Sequence, residues 1–164
     1  MSASFDSSQF RAVLGHVPTS VVVVTGLNAQ GTAFGITIGS FASVSLDPPL
    51  VGFFPGVRSQ SWAAIRESGR FCVNVLGSHQ EEACWRFAKE GDDKFAGVEW
   101  IPSEGGSPVL PGSIAWIDCE IDSETVMGDH TCVVGRVTSL DHAEEVENAM
   151  VFFRGKVSSV KHGG

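Results

Sequence analysis

The chain has 164 residues, 43% of them hydrophobic, which is enough for one domain, residues 1–164, with a substantial core. Its formal net charge of -8 excludes a general nucleic-acid binder and argues against an anionic membrane surface, since both need clustered Lys and Arg. No apolar run approaches the roughly 20 residues of a membrane span, and the opening Met-Ser-Ala-Ser-Phe-Asp has neither the basic flank nor the apolar stretch of a signal peptide.

In chain order, Phe10, Val13, Leu14 and Val17 recur at helical spacing after Asp6 or Ser7, candidate N-caps, so a short amphipathic helix is expected, ended by Pro18. Residues 20–25, with consecutive valines, read as a buried strand. The Asn28-Ala29-Gln30-Gly31 turn leads to a second strand at 32–37, making a hairpin. Residues 51–54 form a third strand after Pro48-Pro49. Residues 61–67 read as a short helix capped by Ser59 or Ser61, and 71–76 as a strand. Residues 80–90 read as an amphipathic helix with Ala83, Cys84, Phe87 and Ala88 on one face. Residues 92–111 are rich in Gly and Pro, a long connection of the kind that is usually functional. Two long strands at 114–126 and 132–140 flank Met127-Gly128-Asp129-His130. A last short strand covers 151–153, and the tail 161–164 is expected to be disordered. Many strands with few, short helices point to a mainly β fold, a closed barrel of about six strands.

Cys72, Cys84, Cys119 and Cys132 form neither a Cys-x-x-Cys pair nor a metal-ligand spacing, and three of them sit in apolar runs, so they read as reduced core thiols of a cytoplasmic protein. No His pair has metal spacing, and no metal is expected. The acidic stretches Glu81-Glu82 and 141–147 read as solvated faces. There is no Gly-x-Gly-x-x-Gly, no Walker loop, no Ser-centred elbow and no His-Glu-x-x-His.

The most informative stretch runs from Gly35 to Leu50. It is apolar at its flanks, yet Thr37, Ser40, Ser43 and Ser45 supply short donors, and Gly39 lets something approach the backbone. A flat, polar-edged cofactor with a phosphate tail suits it; a strand with ordinary surface hydroxyls is the competing reading. Arg58-Ser59-Gln60-Ser61 opens a helix with hydroxyls and a guanidinium, which suits a phosphate, while plain capping by Ser59 or Ser61 explains the serines equally.

Several blocks occur together and in order: residues 18–25; Gly35-Ile36-Thr37 through Ser43-Val44-Ser45-Leu46-Asp47-Pro48-Pro49-Leu50; 71–76; Lys94-Phe95 with Gly97-Val98-Glu99-Trp100; Gly128-Asp129-His130; and Phe153-Arg154-Gly155. In these the chain resembles, over about residues 10–157, the flavin-reductase-like family with the FMN-binding split barrel. It is most similar to the reductase components of two-component, diffusible-flavin monooxygenases of the phenol and 4-hydroxyphenylacetate hydroxylase type.

The resemblance implies a Greek-key split β-barrel with short flanking helices, and FMN or FAD as cofactor with NADH or NADPH as co-substrate. It also implies a homodimer and a separate flavin-dependent monooxygenase as partner. By the same resemblance Thr37, Ile38, Gly39 and Ser40 line the isoalloxazine and ribityl chain. Ser45, Leu46 and Asp47 meet the pyrimidine edge, although Asp47 before Pro48 serves equally to start a turn. Arg58, Ser59 and Ser61 hold the phosphate. Lys94 and Phe95 cover the cofactor or cross to a partner subunit, the alternative being a solvated lysine beside a loop-anchoring Phe. Phe87 reads as core. His130 positions the nicotinamide and is the candidate catalytic residue. Phe152, Phe153, Arg154 and Gly155 bind the pyridine nucleotide.

Two positions depart from the family pattern. Gly39 replaces a frequent polar residue, and Val157 stands where the family usually has Tyr. The implied reaction moves a hydride from a reduced nicotinamide to flavin, with the protein supplying proximity and orientation. Two rivals use the same barrel: a flavin carrier that never turns over pyridine nucleotide, and a relative of pyridoxamine phosphate oxidase, which needs a clearer second basic pocket. The fold alone does not decide among them.

Overall fold

Consecutive valines at 21–24 can only be satisfied by a strand buried on both faces. In the structure, a computed structural model describing residues 4–91, 93–145 and 148–163, Val21 is 3% exposed and Val22, Val23 and Val24 are 0% exposed. They belong to β2 (Val22–Leu27) and its approach. β2 pairs antiparallel with β3 (Ala33–Ile38) on one side and β6 (Arg70–Val75) on the other. The Asn28 carboxamide closes the β2–β3 hairpin by accepting from the backbone N–H of Gln30 and Thr32.

Together with β4 (Ala42–Ser45), β5 (Leu50–Phe53), β9 (Ala115–Met127) and β10 (His130–His142), these form a seven-stranded sheet of order β3-β2-β6-β9-β10-β5-β4. β3 and β4 lie at opposite edges of this sheet, yet only residues 39–41 join them. Four Cα steps reach at most about 15 Å, whereas the edges of a flat seven-stranded sheet lie about 29 Å apart. The sheet must therefore curl until its edges meet. No ladder joins β3 to β4 among the described residues, so the curled sheet stays split at that seam.

Period-two alternation divides these strands between two cores. Val22, Val24 and Ile38 point inward to a cluster with Phe53, Trp62, Phe71 and Val133. Phe53, Trp62 and Phe71 meet edge to face, with ring centroids 5.2, 5.2 and 5.9 Å apart. Gly135, at a register shift in the β9–β10 ladder, leaves room for them: a Cβ there would lie 2.4 Å from the Phe71 ring. Val21 and Val23 point outward to a second cluster with Leu76, Cys84, Phe87, Leu110 and Met150.

Three helices flank the sheet. α1 (Ser7–Leu14) is capped by the Asp6 carboxylate and ends at Gly15, before Pro18; none of its residues is buried. α2 (Gln60–Ile65) is capped by Ser59 and buries Ser61, Trp62 and Ile65. α3 (Glu81–Ala88) buries Cys84 and Phe87 against β3, while Ala88, expected on the same face, is exposed. A separate sheet, β1-β11-β12, joins β1 (Thr19–Ser20), β11 (Asn148–Phe153) and β12 (Lys156–Lys161).

The long connection after α3 includes a small hairpin, β7 (Ile101–Pro102) with β8 (Pro108–Val109). Buried polar groups tie it to the sheet. The Asn74 carboxamide accepts from Leu110 N at 2.8 Å, the Thr25 hydroxyl donates to the Pro108 carbonyl, and Asp118 accepts from Gly105 N at 2.7 Å.

Four strands were not expected. β7 and β8 are two-residue strands inside the connection read as a loop, and β4 and β12 are sheet-edge strands of largely exposed residues, so none shows the alternation that burial imposes along a strand. Lys161, assigned to a disordered tail, ends β12. Met1 to Ala3, Asp92, the end of the acidic stretch at Val146 and Glu147, and Gly164 lie outside the described residues. No described helix is long and apolar enough to cross a membrane.

Candidate functional site

A cleft of about 870 Å³ opens at the β3 edge of the sheet, between the helix packed on the inner cluster and the helix packed on the outer one. β3 forms its floor with Ile36 and Thr37, the segment entering α2 forms one wall, and the end of α3 with Lys94 forms the other. Gly128 and Asp129, at the tip of the β9–β10 hairpin, close one end.

The α2 wall is held in place by backbone. The 55–57 segment bonds to the hairpin tip through Val57 N to the Asp129 carbonyl (3.0 Å), Thr131 N to the Pro55 carbonyl (2.9 Å), and a Gly56–His130 bridge. Arg58 then projects from a fixed backbone and has no ion-pair partner among the described residues. The Ser59 hydroxyl accepts from Trp62 N at 3.1 Å, so it is the α2 cap, and Ser61 is buried on the first turn. The C-terminal end of α2 is moored by Glu124, whose carboxylate accepts from Trp62 Nε1 (2.9 Å) and Arg66 (2.8 Å).

On the opposite wall Lys94 Nζ donates to the Phe87 carbonyl in the last turn of α3, at 3.2 Å. Burial pushes the pKa of this ammonium below the ordinary lysine value, with Glu90 acting in the other direction. Thr37 donates to the Cys84 carbonyl at 2.7 Å and so clamps α3 to β3. Gly35 admits the same contact: a Cβ there would lie 2.7 Å from the Phe87 ring.

Thr37, Arg58, Ser59, Ser61 and Lys94, five of the residues singled out in sequence, therefore converge on one cleft. Others do not line it. Ile38 points into the inner core, which leaves only its backbone for a ligand. Gly39 is exposed at the seam, and Ser40 is occupied there, its hydroxyl accepting from Phe54 N at 3.0 Å. Ser45 lies on edge strand β4; Leu46, 93% exposed, and Asp47 form the turn that follows. Phe95 is a loop anchor, its ring 4.9 Å from that of Phe87.

His130 stands beside the cleft at the hairpin tip. Its Nδ1 lies 2.6 Å from Asp129 Oδ1, and this hydrogen bond, more than any other influence, holds the Asp129 carboxyl below its usual pKa. Phe152, Phe153, Arg154 and Gly155 lie on the smaller sheet, where Arg154 (φ 50°) and Gly155 (φ 77°) make the tight β11–β12 turn. That turn is tied to the end of α1 by Arg154 N to the Gly15 carbonyl, 2.9 Å. Val57, Gln60 and Lys89 line the cleft without having been singled out. Their only sequence signal is adjacency: two flank Arg58 and Ser59, and one follows α3. No group of three His, Cys, Asp or Glu able to hold a metal occurs among the described residues.

A curled sheet split at one seam, with an open cleft between its edge strand β3 and two short helices, is the architecture on which the comparisons bear. Residues 14–161 match the flavin reductase like domain, and the chain belongs to that family. It is 46% identical over 153 residues to a flavin reductase of Pseudomonas putida, covering 93% of this chain and 89% of that one. Nitrilotriacetate monooxygenase component B from Mycobacterium thermoresistibile has the same fold, with a TM-score of 0.90 and 43% identity, over 95% of this chain and 87% of that one. The NADH:FAD oxidoreductase SgcE6 of Streptomyces globisporus, solved with NAD and FAD fragments, matches with a TM-score of 0.87 and 34% identity, over 96% and 94%.

Proposed function

We propose that this protein is an NAD(P)H-dependent flavin reductase that supplies reduced FMN or FAD to a separate flavin-dependent monooxygenase. The observation that carries this is the convergence of Thr37, Arg58 and Lys94 on one cleft in a chain of the flavin reductase-like family. Arg58, Lys89 and Lys94 outnumber Glu90 and Asp129 in the lining, so the cleft is net positive on a protein of net charge -8, which suits a phosphorylated ligand. The relatives named as a flavin reductase, a monooxygenase component and an NADH:FAD oxidoreductase point the same way.

In this reading Arg58 holds the flavin phosphate, with the Ser59 and Ser61 region shaping its seat and Lys94 balancing charge from the opposite wall. The backbone of residues 37–40 lies along the ring and ribityl chain, and Gly39 keeps that approach open. Bound flavin supplies the acceptor for the hydride of a reduced nicotinamide. His130, oriented by Asp129 at the cleft's end, positions the nicotinamide, and no acid–base pair is needed. Phe152, Phe153 and Arg154 meet the pyridine nucleotide from the smaller sheet.

The apolar residues Phe10, Val13, Leu14 and Val17 around α1 are all exposed, and they suit pairing with a second copy as a homodimer. Four free cysteines suit a reducing, cytoplasmic location.

A second reading, a flavin carrier without turnover, draws on one observation: neither Arg154 nor His130 is part of the cleft lining. Steady-state oxidation of NADH and NADPH by purified protein, with FMN, FAD or no flavin, separates the two. Flavin-dependent turnover is expected. Stable flavin binding with no turnover by any pair overturns the reductase and leaves the carrier.

A further inference from the structure

The wall that carries Arg58 has open space on both sides. Gly56, Val57 and Ser59 line the cleft, and the same three residues line a second hollow of about 210 Å³ behind it, completed in part by Trp62, Arg66 and Glu124. The place of residues 56–59 therefore depends on what grips the segment at each end. At its start the grip is backbone: Val57 N donates to the Asp129 carbonyl, and Thr131 N to the Pro55 carbonyl. At its far end the directional grip is one carboxylate. Glu124, near the end of β9, accepts from Trp62 Nε1 through one oxygen at 2.9 Å and from Arg66 through the other at 2.8 Å. Trp62 and Ile65 also pack in the inner cluster, but apolar contact has no preferred direction, whereas these hydrogen bonds fix how α2 is turned. Both grips come from the β9–β10 hairpin, and Arg58 stands on the span between them.

We propose that Glu124 is a positioning residue for the phosphate end of the cleft: it holds α2 from behind and so sets where the Arg58 guanidinium stands. Neither Glu124 nor Arg66 lines the cleft, so an effect of Glu124 on a ligand there passes through the wall or through long-range charge. The inference rests on the flavin reading of the cleft.

The two routes have opposite signs. Removing a negative charge near an anion site tightens the anion; letting the wall shift weakens it. Titration of full-length protein with FMN and with riboflavin, followed by flavin fluorescence, isolates the part of affinity that the phosphate supplies. Glu124→Ala should weaken FMN about fivefold and leave riboflavin within about twofold of wild type. Glu124→Asp keeps the charge but is too short to hold both partners, and it should weaken FMN in the same selective way. Glu124→Gln keeps the length and an oxygen for Trp62, and it should bind FMN within about twofold of wild type. FMN bound by Glu124→Ala and Glu124→Asp as tightly as by wild type, or more tightly, overturns the proposal. So does an equal loss of riboflavin and FMN, which marks general loosening of the fold. Wild type that binds neither FMN nor riboflavin overturns the flavin reading itself, a distinct outcome because it precedes any comparison of variants.

Discussion

The two faces of the seven-stranded sheet are built from the same strands and do different work. The inner face buries a large apolar cluster: Val22, Val24 and Ile38 close on Phe53, Trp62 and Phe71, with glycine at 135 because a larger residue would strike an aromatic ring. The outer face carries Thr25, Asn74 and Asp118 buried among hydrogen bonds to a long connection and a smaller apolar cluster under α3, and it meets the open cleft at the β3 edge. Neighbouring residues fall on opposite sides, as Ile38 does from Thr37. A single strand can thus contribute a side chain to stability and the next one to binding. Substitutions on the two faces should separate in what they damage.

The largest separation is expected from Phe71→Ala on the inner face. It empties the centre of a three-ring cluster and should lower stability by about 3–5 kcal/mol, visible as a fall in Tm of roughly 10 °C. Flavin affinity below the transition should stay near wild type, because Phe71 lines no part of the cleft. A protein that keeps its Tm but loses flavin would break the comparison.

Arg58→Ala in the cleft should do the reverse. Arg58 is exposed and unpaired among the described residues, so little stability should change. Loss of a charge-assisted contact to phosphate should weaken FMN and FAD about tenfold or more. Titration should show lumiflavin, which has no phosphate, unaffected. Equal weakening of lumiflavin would remove Arg58 from the phosphate site.

A smaller effect is expected at alkaline pH and belongs to the strands themselves. Burial raises the thiol pKa of Cys72 well above its ordinary value of 9.0 and pushes that of Cys119 up to about 12, with Asp118 adding to both. The unfolded chain releases these protons first, so the native state holds more protons above about pH 9. Their contribution to stability is full below that pH and is lost as pH rises toward the folded values. Tm should therefore decline between about pH 9 and 11, and Cys119→Ser should flatten the decline. Thiol labelling at the same pH should reach half-buried Cys132 before either. An unchanged slope in Cys119→Ser would show that other groups govern alkaline unfolding.

Much of the architecture was legible because burial writes itself into sequence. The valines at 21–24, the Asn28–Gly31 turn, the helix after Ser59 and the two long strands about Gly128-Asp129 all appear within a few residues of where the pattern put them. β4 and β12 were missed for one reason. Both are sheet-edge strands held by ladder hydrogen bonds instead of side-chain burial, so their serines and lysines carry no alternation. The helical period in 80–90 was read correctly, but Ala88 was assigned inward because spacing alone does not show where a helix leaves the surface it packs on.

The site divides in the same way. Thr37, Arg58, Ser59, Ser61 and Lys94 could be named from residue type and family resemblance. That Ile38 turns inward and that residues 152–155 sit on another sheet could not, and the choice between cofactor cover and loop anchor for Phe95 stayed open. The sequence by itself determined the family, the buried strands and the chemistry on offer, because these follow from local composition and short-range order. Only the tertiary structure decided which of those residues share a cleft and which stand away from it. The physical reason is that a three-residue crossing forces the two edges of the sheet together, and distances set by that closure are recorded in no single stretch of chain.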